Sequence, residues 1–392
     1  MNTLQDRIRG SLIGGAIGDA LGYPVEFMSR NSILSHYGKY GITRFELDQE
    51  GKALVSDDTQ MTLFTANGLL NWWDNENRLP GAPIVTFVEY AYLDWYYTQT
   101  GINRVNANGK DCHSTWLHSL PELAHRRAPG TTCMSACESI INGEQPHNNS
   151  KGCGGIMRVA PMGLFQAAYL HKEGYDLMNP MHLAESGANI AKITHLHPLG
   201  YLPASMLTLL IARISLLSLE EIKSSIVDII EESLDVVMQC ERNDYLEKIT
   251  KDAIRLSKSD CLDVDAITLL GEGWTGEEAW AISLYCSIRH LDNMKDAIIA
   301  AVNHDGDSDS TGSITGNIMG AIYGYDYIKK ERMFCPEGKD IDNILELSNI
   351  ILAVADDLAL FPHVTEYSKT LKPDEAERWY QRYCKVKPYG LK

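Results

Sequence analysis

His304-Asp-Gly-Asp-Ser-Asp-Ser-Thr-Gly312 is the stretch around which this chain is organised. Aspartates stand at its second, fourth and sixth positions. Carboxylates this close together repel one another unless a cation or several hydrogen-bond donors lie among them, so the stretch predicts a metal site. An EF-hand loop is excluded. An EF-hand loop that began at Asp305 would require glycine at position 310 and glutamate at position 316, but this chain has Ser310 and Gly316 there.

A glycine then recurs every fourth residue, at positions 312, 316, 320 and 324. We predict a helix over Thr311 to Gly324, with the acidic stretch at its N-terminus. Glycine costs about 1 kcal/mol relative to alanine inside a helix, so a bare glycine face requires a packing partner. The same spacing occurs at positions 10, 14, 18 and 22. The two faces either pack on each other as an antiparallel pair or each pack on another element. The antiparallel pair would bring Glu26 to the start of the second helix.

A second acidic helix start is Ser56-Asp-Asp-Thr59, which precedes apolar residues at helical spacing. The alternative function for these residues is a simple N-cap, because Ser and Asp satisfy free N–H groups and interact favourably with the helix dipole. Two such starts in one chain favour a shared function.

Residues 130–155 are rich in Gly, Asn and Ser, and we predict a long loop that ends in a glycine cluster. Backbone N–H groups of such a cluster suit a diphosphate, although the segment could instead be a flexible connection. The segment Thr194-His-Leu-His197 lies at a predicted helix end, and the cysteine or third histidine that a zinc site needs is not nearby in sequence. Trp274 either stacks on a base or packs in the core.

Helical periodicity dominates the chain beyond residue 161. The predicted helices are 181–195, 203–217, 219–239, 276–290, 294–303 and 341–361, and Ser218-Leu-Glu-Glu221 is a predicted capping box. Residues 84–98 allow a strand or a helix, and residues 27–54 are predicted to be a loop. Many helices without alternating strands indicate an all-α fold. The length of 392 residues allows either two or three domains or one large domain.

The chain is acidic, with 52 Asp and Glu against 35 Lys and Arg and a net charge of -17. This composition argues against general nucleic-acid or anionic-membrane binding, since the sequence has no basic stripe to neutralise phosphates. Nine scattered cysteines favour a reducing compartment. Residues 7–18 imitate a signal peptide until Asp19 interrupts them, and Pro203 and Arg213 interrupt the best apolar run. We therefore predict a cytoplasmic protein.

Five motifs, taken together, resemble the ADP-ribosylglycohydrolase family. They span residues 10 to about 324 in the family's order and spacing. The motifs are Gly18-Asp-Ala-Leu-Gly22 with Glu26, Ser56-Asp-Asp-Thr59, Lys151-Gly-Cys-Gly-Gly-Ile-Met-Arg158, Thr194-His195, and Gly306-Asp-Ser-Asp-Ser-Thr-Gly312.

The resemblance implies one domain over residues 1–392 with an all-α, orthogonally packed multi-helix fold and a central cleft for two Mg²⁺ or Mn²⁺ ions. The implied metal ligands are Ser56, Asp57, Asp58, Asp307, Asp309 and Ser310. The implied substrate-binding residues are Lys151, Gly152, Cys153, Gly154 and Gly155 near the diphosphate, His195 at the distal ribose and Trp274 near the nucleotide. The chain departs from the family pattern at Ser56 and Ser310, where threonine is frequent, and at Cys153, where asparagine is common.

The chemistry of these residues agrees with the resemblance. Hard divalent ions take oxygen ligands, and a two-metal site can orient a vicinal diol together with a water. Cleavage of an N-glycosidic bond passes through an oxocarbenium-like state that nearby carboxylates stabilise. We predict a hydrolase that removes ADP-ribose from modified protein side chains, most simply arginine, with Glu26 and Asp58 as the catalytic residues.

Three alternatives stay open at this point. The substrate could be another ADP-ribose conjugate, either serine-linked or O-acetyl-ADP-ribose. The same ligands could serve a two-metal phosphoesterase, or the chain could be a binding-only, crystallin-like relative. The expected partner is an ADP-ribosylated protein or an ADP-ribose conjugate, and the sequence does not indicate an oligomeric state.

Overall fold

The computed structural model describes residues 3–76, 81–102, 112–174, 179–364 and 371–384. Within these ranges the regular structure is helical, and the β-type pairing consists of two isolated bridges, Ala53 with Leu345 and Gly152 with Thr275. The all-α prediction is confirmed. In the same ranges, no helix combines the length and the apolar character needed to cross a bilayer.

We number the α-helices in chain order. They are α1 Leu4–Gly22, α2 Arg30–Tyr37, α3 Asp57–Glu76, α4 Ile84–Thr100, α5 Thr131–Ile141, α6 Ala160–Glu173, α7 Pro180–Lys192, α8 Pro198–Ile214, α9 Leu219–Cys240, α10 Asp244–Ser257, α11 Asp263–Leu270, α12 Gly276–Arg289, α13 Met294–Val302, α14 Ser308–Tyr323, α15 Tyr325–Glu331, α16 Ile341–Ile344, α17 Ser348–Leu360 and α18 Pro373–Trp379. Short 3₁₀ turns connect several of them.

Helices α1 and α14 form an antiparallel pair at the centre of the core. Gly10 lies against Gly320, Gly14 against Gly316, and Gly18 against Gly312, and at each position a Cβ atom would overlap the backbone of the facing helix. Almost every residue of both helices is buried. The predicted pairing of the two glycine stripes is confirmed, and the close approach of the two backbones explains why larger residues are excluded.

The C-terminal half of α1 also fixes the start of α3. The buried Asp19 carboxylate accepts hydrogen bonds from the backbone N–H of Ser56 at 2.9 Å and of Thr59 at 3.1 Å. It also accepts one from the Thr59 hydroxyl at 2.5 Å. These bonds satisfy N–H groups at the N-terminus of α3. Because α1 holds both α3 and α14, the two acidic helix starts lie on the same side of the core.

The structure settles or corrects several sequence predictions. Residues 84–98 form a helix, and the segment predicted as the loop 27–54 contains α2. Ser29 begins α2 because its hydroxyl accepts a hydrogen bond from the Ser32 N–H at 3.2 Å. The predicted loop 130–155 contains α5, whose buried face is Cys133, Ala136 and Cys137 at helical spacing. The capping box of α9 is present as predicted.

Several predicted helices have different bounds; the helix predicted over 203–217, for example, is α8, Pro198–Ile214. The helix predicted from Thr311 begins at Ser308, because Asp307 caps it by accepting a hydrogen bond from the Ser310 N–H. The helix predicted over 341–361 is divided into α16 and α17, since Leu347 adopts the left-handed conformation with φ of 61°. The helices α10 and α11 lie in a segment for which no helix is predicted above.

Candidate active site

A cavity of about 360 Å³ opens where α3, α5 and α14 begin. Its described lining contains five carboxylates and neither lysine nor arginine. The lining residues are Glu26, Phe27, Asp57, Asp58, Ala128, Pro129, Gly130, Thr131, Thr132, Cys133, Gly152, Cys153, Gly154, Met157, His195, Trp274, Asp307, Asp309 and Ser310. The cavity therefore joins most of the residues singled out in the sequence, although they come from distant parts of the chain.

The strongest candidate for a metal site lies where the chain after α1 meets the start of α14. Carboxylate oxygens of Glu26, Asp307 and Asp309 lie within 4.8 Å of one another, and all three residues are buried. Within the described residues, Glu26 Oε2, Asp58 Oδ2 and Asp307 Oδ2 are buried without a hydrogen-bond partner. Buried carboxylate oxygens in this state are costly unless a cation pairs with them. The donor set therefore fits divalent cations, which prefer oxygen ligands.

The pKa values of these carboxyls also indicate that the cluster lacks positive charge. Burial and then the charge of Asp309 raise the pKa of Glu26 to about 9, and Asp57 and Asp19 add to this effect. Burial is also the main cause that raises the pKa values of Asp57, Asp58 and Asp307 well above the ordinary range. Without a bound cation, the raised pKa values oppose ionisation of all these carboxyls at the same time. Added positive charge would favour their ionised forms.

Ser56 lies between the two acidic clusters. Its hydroxyl contacts the Asp309 carboxyl and accepts a hydrogen bond from the Asp58 N–H at 3.2 Å. Ser310 lines the cavity beside Asp309. Sequence reasoning did not assign Asp19 to the site, although Asp19 fixes the position of Ser56 through its backbone N–H. Its place inside the Gly18–Gly22 motif was the available sequence indication.

The glycine cluster is held by the segment that carries Trp274. The Cys153 N–H donates to the Trp274 carbonyl at 3.1 Å, and the Gly276 N–H donates to the Lys151 carbonyl at 2.7 Å. Gly152 and Gly154 line the cavity beside the imidazole of His195, where added Cβ atoms would meet the ring. The glycines therefore leave one edge of the imidazole open to the cavity.

Two residues predicted to bind substrate lie outside the described lining. The Lys151 ammonium group is 3.4 Å from the Glu277 carboxylate, and the described lining includes Gly152 but not Lys151. Gly155 is buried, and a Cβ atom there would overlap the carbonyl of Gly200. The structure thus brings Gly152, Cys153 and Gly154 into the cavity and places Lys151 and Gly155 behind it.

The protonation and orientation of His195 are set by its buried neighbours. Arg158 donates from Nη2 to the Thr194 hydroxyl oxygen at 2.5 Å, and that oxygen lies 2.8 Å from His195 Nδ1. Burial, together with the smaller effect of the Arg158 charge, lowers the pKa of His195 to about 3, so the imidazole is neutral. With Arg158 donating to Thr194, we assign the hydroxyl proton to the bond with Nδ1. His195 then presents an Nε2–H donor to the cavity.

Two further wall features were not predicted from the sequence. The Phe27 side chain is 76% exposed and stacks on Trp274, with ring centroids 5.7 Å apart and planes at 19°. The N-terminus of α5 also faces the cavity: Gly130 is the N-cap without a side-chain cap, and Thr131 and Thr132 line the wall. The sequence indication for Phe27 was an aromatic residue directly after Glu26.

Comparison with known proteins agrees with this arrangement. The family model for ADP-ribosylglycohydrolase matches residues 1–359. An ADP-ribosylarginine hydrolase of Serratia proteamaculans is 26% identical over 325 residues, which cover 83% of this chain and 74% of that protein. The ADP-ribosyl-[dinitrogen reductase] glycohydrolase of Rhodospirillum rubrum is 25% identical over 332 residues, which cover 83% of this chain and 88% of that protein.

Among solved structures, an ADP-ribosylglycohydrolase-related protein complex shares the fold. Its chain superposes with a TM-score of 0.56 at 19% identity, over 92% of this chain and 100% of that chain. The match of the family model extends from the first glycine helix through α14 and most of α17. This chain therefore belongs to the ADP-ribosylglycohydrolase family.

Proposed function

We propose that this hydrolase removes ADP-ribose from modified arginine side chains of proteins, with two Mg²⁺ or Mn²⁺ ions in the acidic cavity. The observation that carries the proposal is the meeting of two acidic helix starts around buried carboxylate oxygens that have no partner within the described residues. The same cavity contains a glycine cluster and a neutral histidine, which suit a diphosphate and a ribose.

The cations would be held by Ser56, Asp57 and Asp58 on the α3 side and by Asp307, Asp309 and Ser310 on the α14 side. When bound, divalent cations supply positive charge that favours the ionised carboxylates and can orient hydroxyl and water oxygens. The fit rests on the oxygen donors present and on the unpaired oxygens of Asp58 and Asp307.

The remaining walls offer places for the rest of an ADP-ribose group. Backbone N–H groups of the glycine cluster and of the N-terminus of α5 would donate hydrogen bonds to the diphosphate, because helix starts and glycine loops favour anions. The Nε2–H of His195 would donate to a hydroxyl of the distal ribose. The stacked pair of Phe27 and Trp274 at the mouth offers an aromatic surface for the adenine ring.

Glu26 would act as the proton acceptor for the attacking water, with Asp58 able to share this task. The water oxygen bonds to the anomeric carbon as the bond from that carbon to the guanidine nitrogen breaks. The proton taken by Glu26 then passes to the departing guanidine nitrogen. Ionised carboxylates beside the sugar would stabilise its positive charge in the transition state.

Two observations favour arginine as the linked residue. The relative from Serratia proteamaculans is an ADP-ribosylarginine hydrolase by name. The described cavity lining contains carboxylates without a lysine or arginine, and an arginine adduct keeps a positive charge that such a wall attracts. Serine and O-acetyl linkages carry no such charge.

The test compares three substrates with the metal-loaded protein: arginine-linked and serine-linked ADP-ribose on matched peptides, and O-acetyl-ADP-ribose. We expect free ADP-ribose to be released fastest from the arginine peptide. Preference for another linkage would reject the arginine assignment but keep the hydrolase. Release of AMP instead of ADP-ribose would indicate a phosphoesterase, and binding without turnover of all three would indicate a binding protein.

A further inference from the structure

We propose that the buried guanidinium of Arg158 supplies the fixed positive charge that attracts the diphosphate, acting through the cavity wall without touching the ligand. The inference rests on the function proposed above and deepens it, because it names the group that lets an acidic cavity hold an anionic ADP-ribose. Arg158 is not among the described lining residues, so its role is that of a positioning residue.

Arg158 lies directly behind the wall of the cavity. Its Nη1 is 3.3 Å from the Cys133 sulfur, and its Nη2 donates to the Thr194 hydroxyl, whose oxygen is 2.8 Å from His195 Nδ1. Cys133 and His195 both line the cavity, and a Cβ atom added at Gly154 would meet both side chains. The guanidinium therefore contacts one wall residue and is linked to a second by one hydroxyl group.

The described contacts of this guanidinium are all with uncharged groups. Besides Cys133 and Thr194, they are the Met61 sulfur at 3.3 Å and the face of the Tyr92 ring at 4.3 Å. Arg158 is fully buried, and its Nε has no hydrogen-bond partner among the described residues. A buried charge without an ionic partner is costly, so we infer that the counter-charge comes from a bound anion.

The position of the charge matches the place proposed for the diphosphate. The glycines of the cluster, Gly152 and Gly154, lie beside the imidazole of His195, and Cys133 belongs to the first turn of α5. The described lining contains five carboxylates and neither lysine nor arginine, so the lining side chains offer no fixed charge that attracts a diphosphate. A cation behind this wall supplies the attraction, and burial protects it from screening by salt.

A purely structural role predicts a different result. The contacts of Arg158 join α3, α4 and α5 to the Thr194 segment, so loss of the side chain would loosen the cavity and weaken the binding of every ligand. Loss of the charge alone weakens the binding of an anion and leaves the binding of Mg²⁺ unchanged or stronger, because a positive charge opposes a cation. The two ligands therefore distinguish the two roles.

The experiment measures the Mg²⁺ affinity of the full chain by calorimetry, and then its ADP-ribose affinity at saturating Mg²⁺. Arg158→Met removes the charge and keeps an unbranched side chain, whereas Arg158→Lys keeps the charge. We expect the ADP-ribose affinity of Arg158→Met to fall by about tenfold or more, the scale of one unit charge close to a ligand inside a protein. Arg158→Lys should retain most of the affinity, and the Mg²⁺ affinity of Arg158→Met should equal or exceed that of the wild type.

Arg7 provides a matched control at a second buried guanidinium. It lies at the N-terminal end of α1, away from the cavity lining, and donates to the carbonyls of Ile214 and Ala321 at 3.0 Å. Arg7→Met makes the same chemical change and should leave the ADP-ribose affinity of the folded protein unchanged.

A second measurement on the wild type avoids any folding defect of the variants. Raising the salt from about 0.05 M to about 0.5 M should lower the ADP-ribose affinity by less than about threefold, because a buried charge is screened little. Attraction by the partly exposed Lys151 would be screened strongly.

Three results would overturn the inference and leave the proposed hydrolase in place. They are equal ADP-ribose affinity in Arg158→Met and the wild type, a parallel loss of ADP-ribose and Mg²⁺ affinity in Arg158→Met, and a steep salt dependence in the wild type. Failure of the metal-loaded wild type to bind ADP-ribose would overturn both proposals.

Discussion

Gly316 of α14 lies against the backbone of Gly14 of α1, near the middle of the two glycine stripes. This contact sets the register of the antiparallel pair. In that register the C-terminal end of α1 lies at the start of α14, where Gly22 meets Ser308. Glu26, four residues farther along the chain, then joins Asp307 and Asp309. The candidate metal site therefore depends on a helix contact that contains no metal ligand.

We predict that Gly316→Leu destabilises the protein, because a side chain there overlaps the backbone of α1. Overpacking of a tight interior costs about 1–3 kcal/mol or more. Denaturant unfolding measures the change in the free energy of unfolding. Ser224→Leu adds the same side chain to an exposed position of α9 and serves as the control. Equal stability of both variants would contradict the close packing of α1 and α14.

We expect Asp309→Ala and Asp307→Ala to weaken Mg²⁺ and Mn²⁺ binding strongly and to abolish hydrolysis, since each removes an oxygen donor from the cluster. Stabilisation of the folded protein by metal should also disappear. Calorimetry and melting curves with and without metal test both effects. Asp305→Ala is the matched control, because Asp305 is exposed in the same stretch and its carboxylate accepts a hydrogen bond from the Arg30 N–H at 2.9 Å. Full metal affinity in the Asp307 and Asp309 variants would contradict the assignment.

The metal-free protein should lose stability as the pH rises from about 4.5 towards 9. Burial and the charge of Asp309 raise the pKa of Glu26 from 4.5 to about 9, so in this range the folded state keeps a proton that the unfolded chain has released. A difference of one bound proton changes the free energy of unfolding by about 1.4 kcal/mol per pH unit.

Urea unfolding across that pH range measures the slope. Glu26→Gln should make the slope shallower, and saturating Mg²⁺ should oppose the loss of stability at high pH because it pairs with the ionised carboxylates. Stability of the metal-free wild type that rises throughout this range would show that the pKa of Glu26 is not raised in the folded state.

Glu26→Gln should retain most of the affinity for ADP-ribose, because the proposed diphosphate and adenine contacts lie elsewhere in the cavity. Turnover should fall by about two or more orders of magnitude, the usual scale for loss of a general base. Calorimetry with ADP-ribose and turnover measured across a metal titration test this role. Recovery of activity at high Mg²⁺ would assign Glu26 to metal binding alone, and unchanged turnover would remove it from the mechanism.

Much of the site could be predicted because its acidic residues and glycines form patterns between residues that are close in the sequence. The aspartates of residues 305–309 and the Ser56–Thr59 start are each contiguous, and glycine at every fourth position marks a helix face whatever it packs against. Helix α5 was missed because glycine, threonine and serine around residues 130–135 resemble a loop, and burial of Cys133 and Cys137 on one face stabilises the helix only in the folded core.

The sequence by itself determined the helical class, the two acidic helix starts and the glycine stripes, because these depend on residues a few positions apart. Only the tertiary structure decided which carboxylates share a cavity, that Phe27 stacks on Trp274, and that Lys151 pairs with Glu277 instead of lining the wall. Most of these contacts join residues more than a hundred positions apart. Their geometry follows from how whole helices pack, and outside the two glycine stripes the periodicity along the chain does not indicate which helices meet.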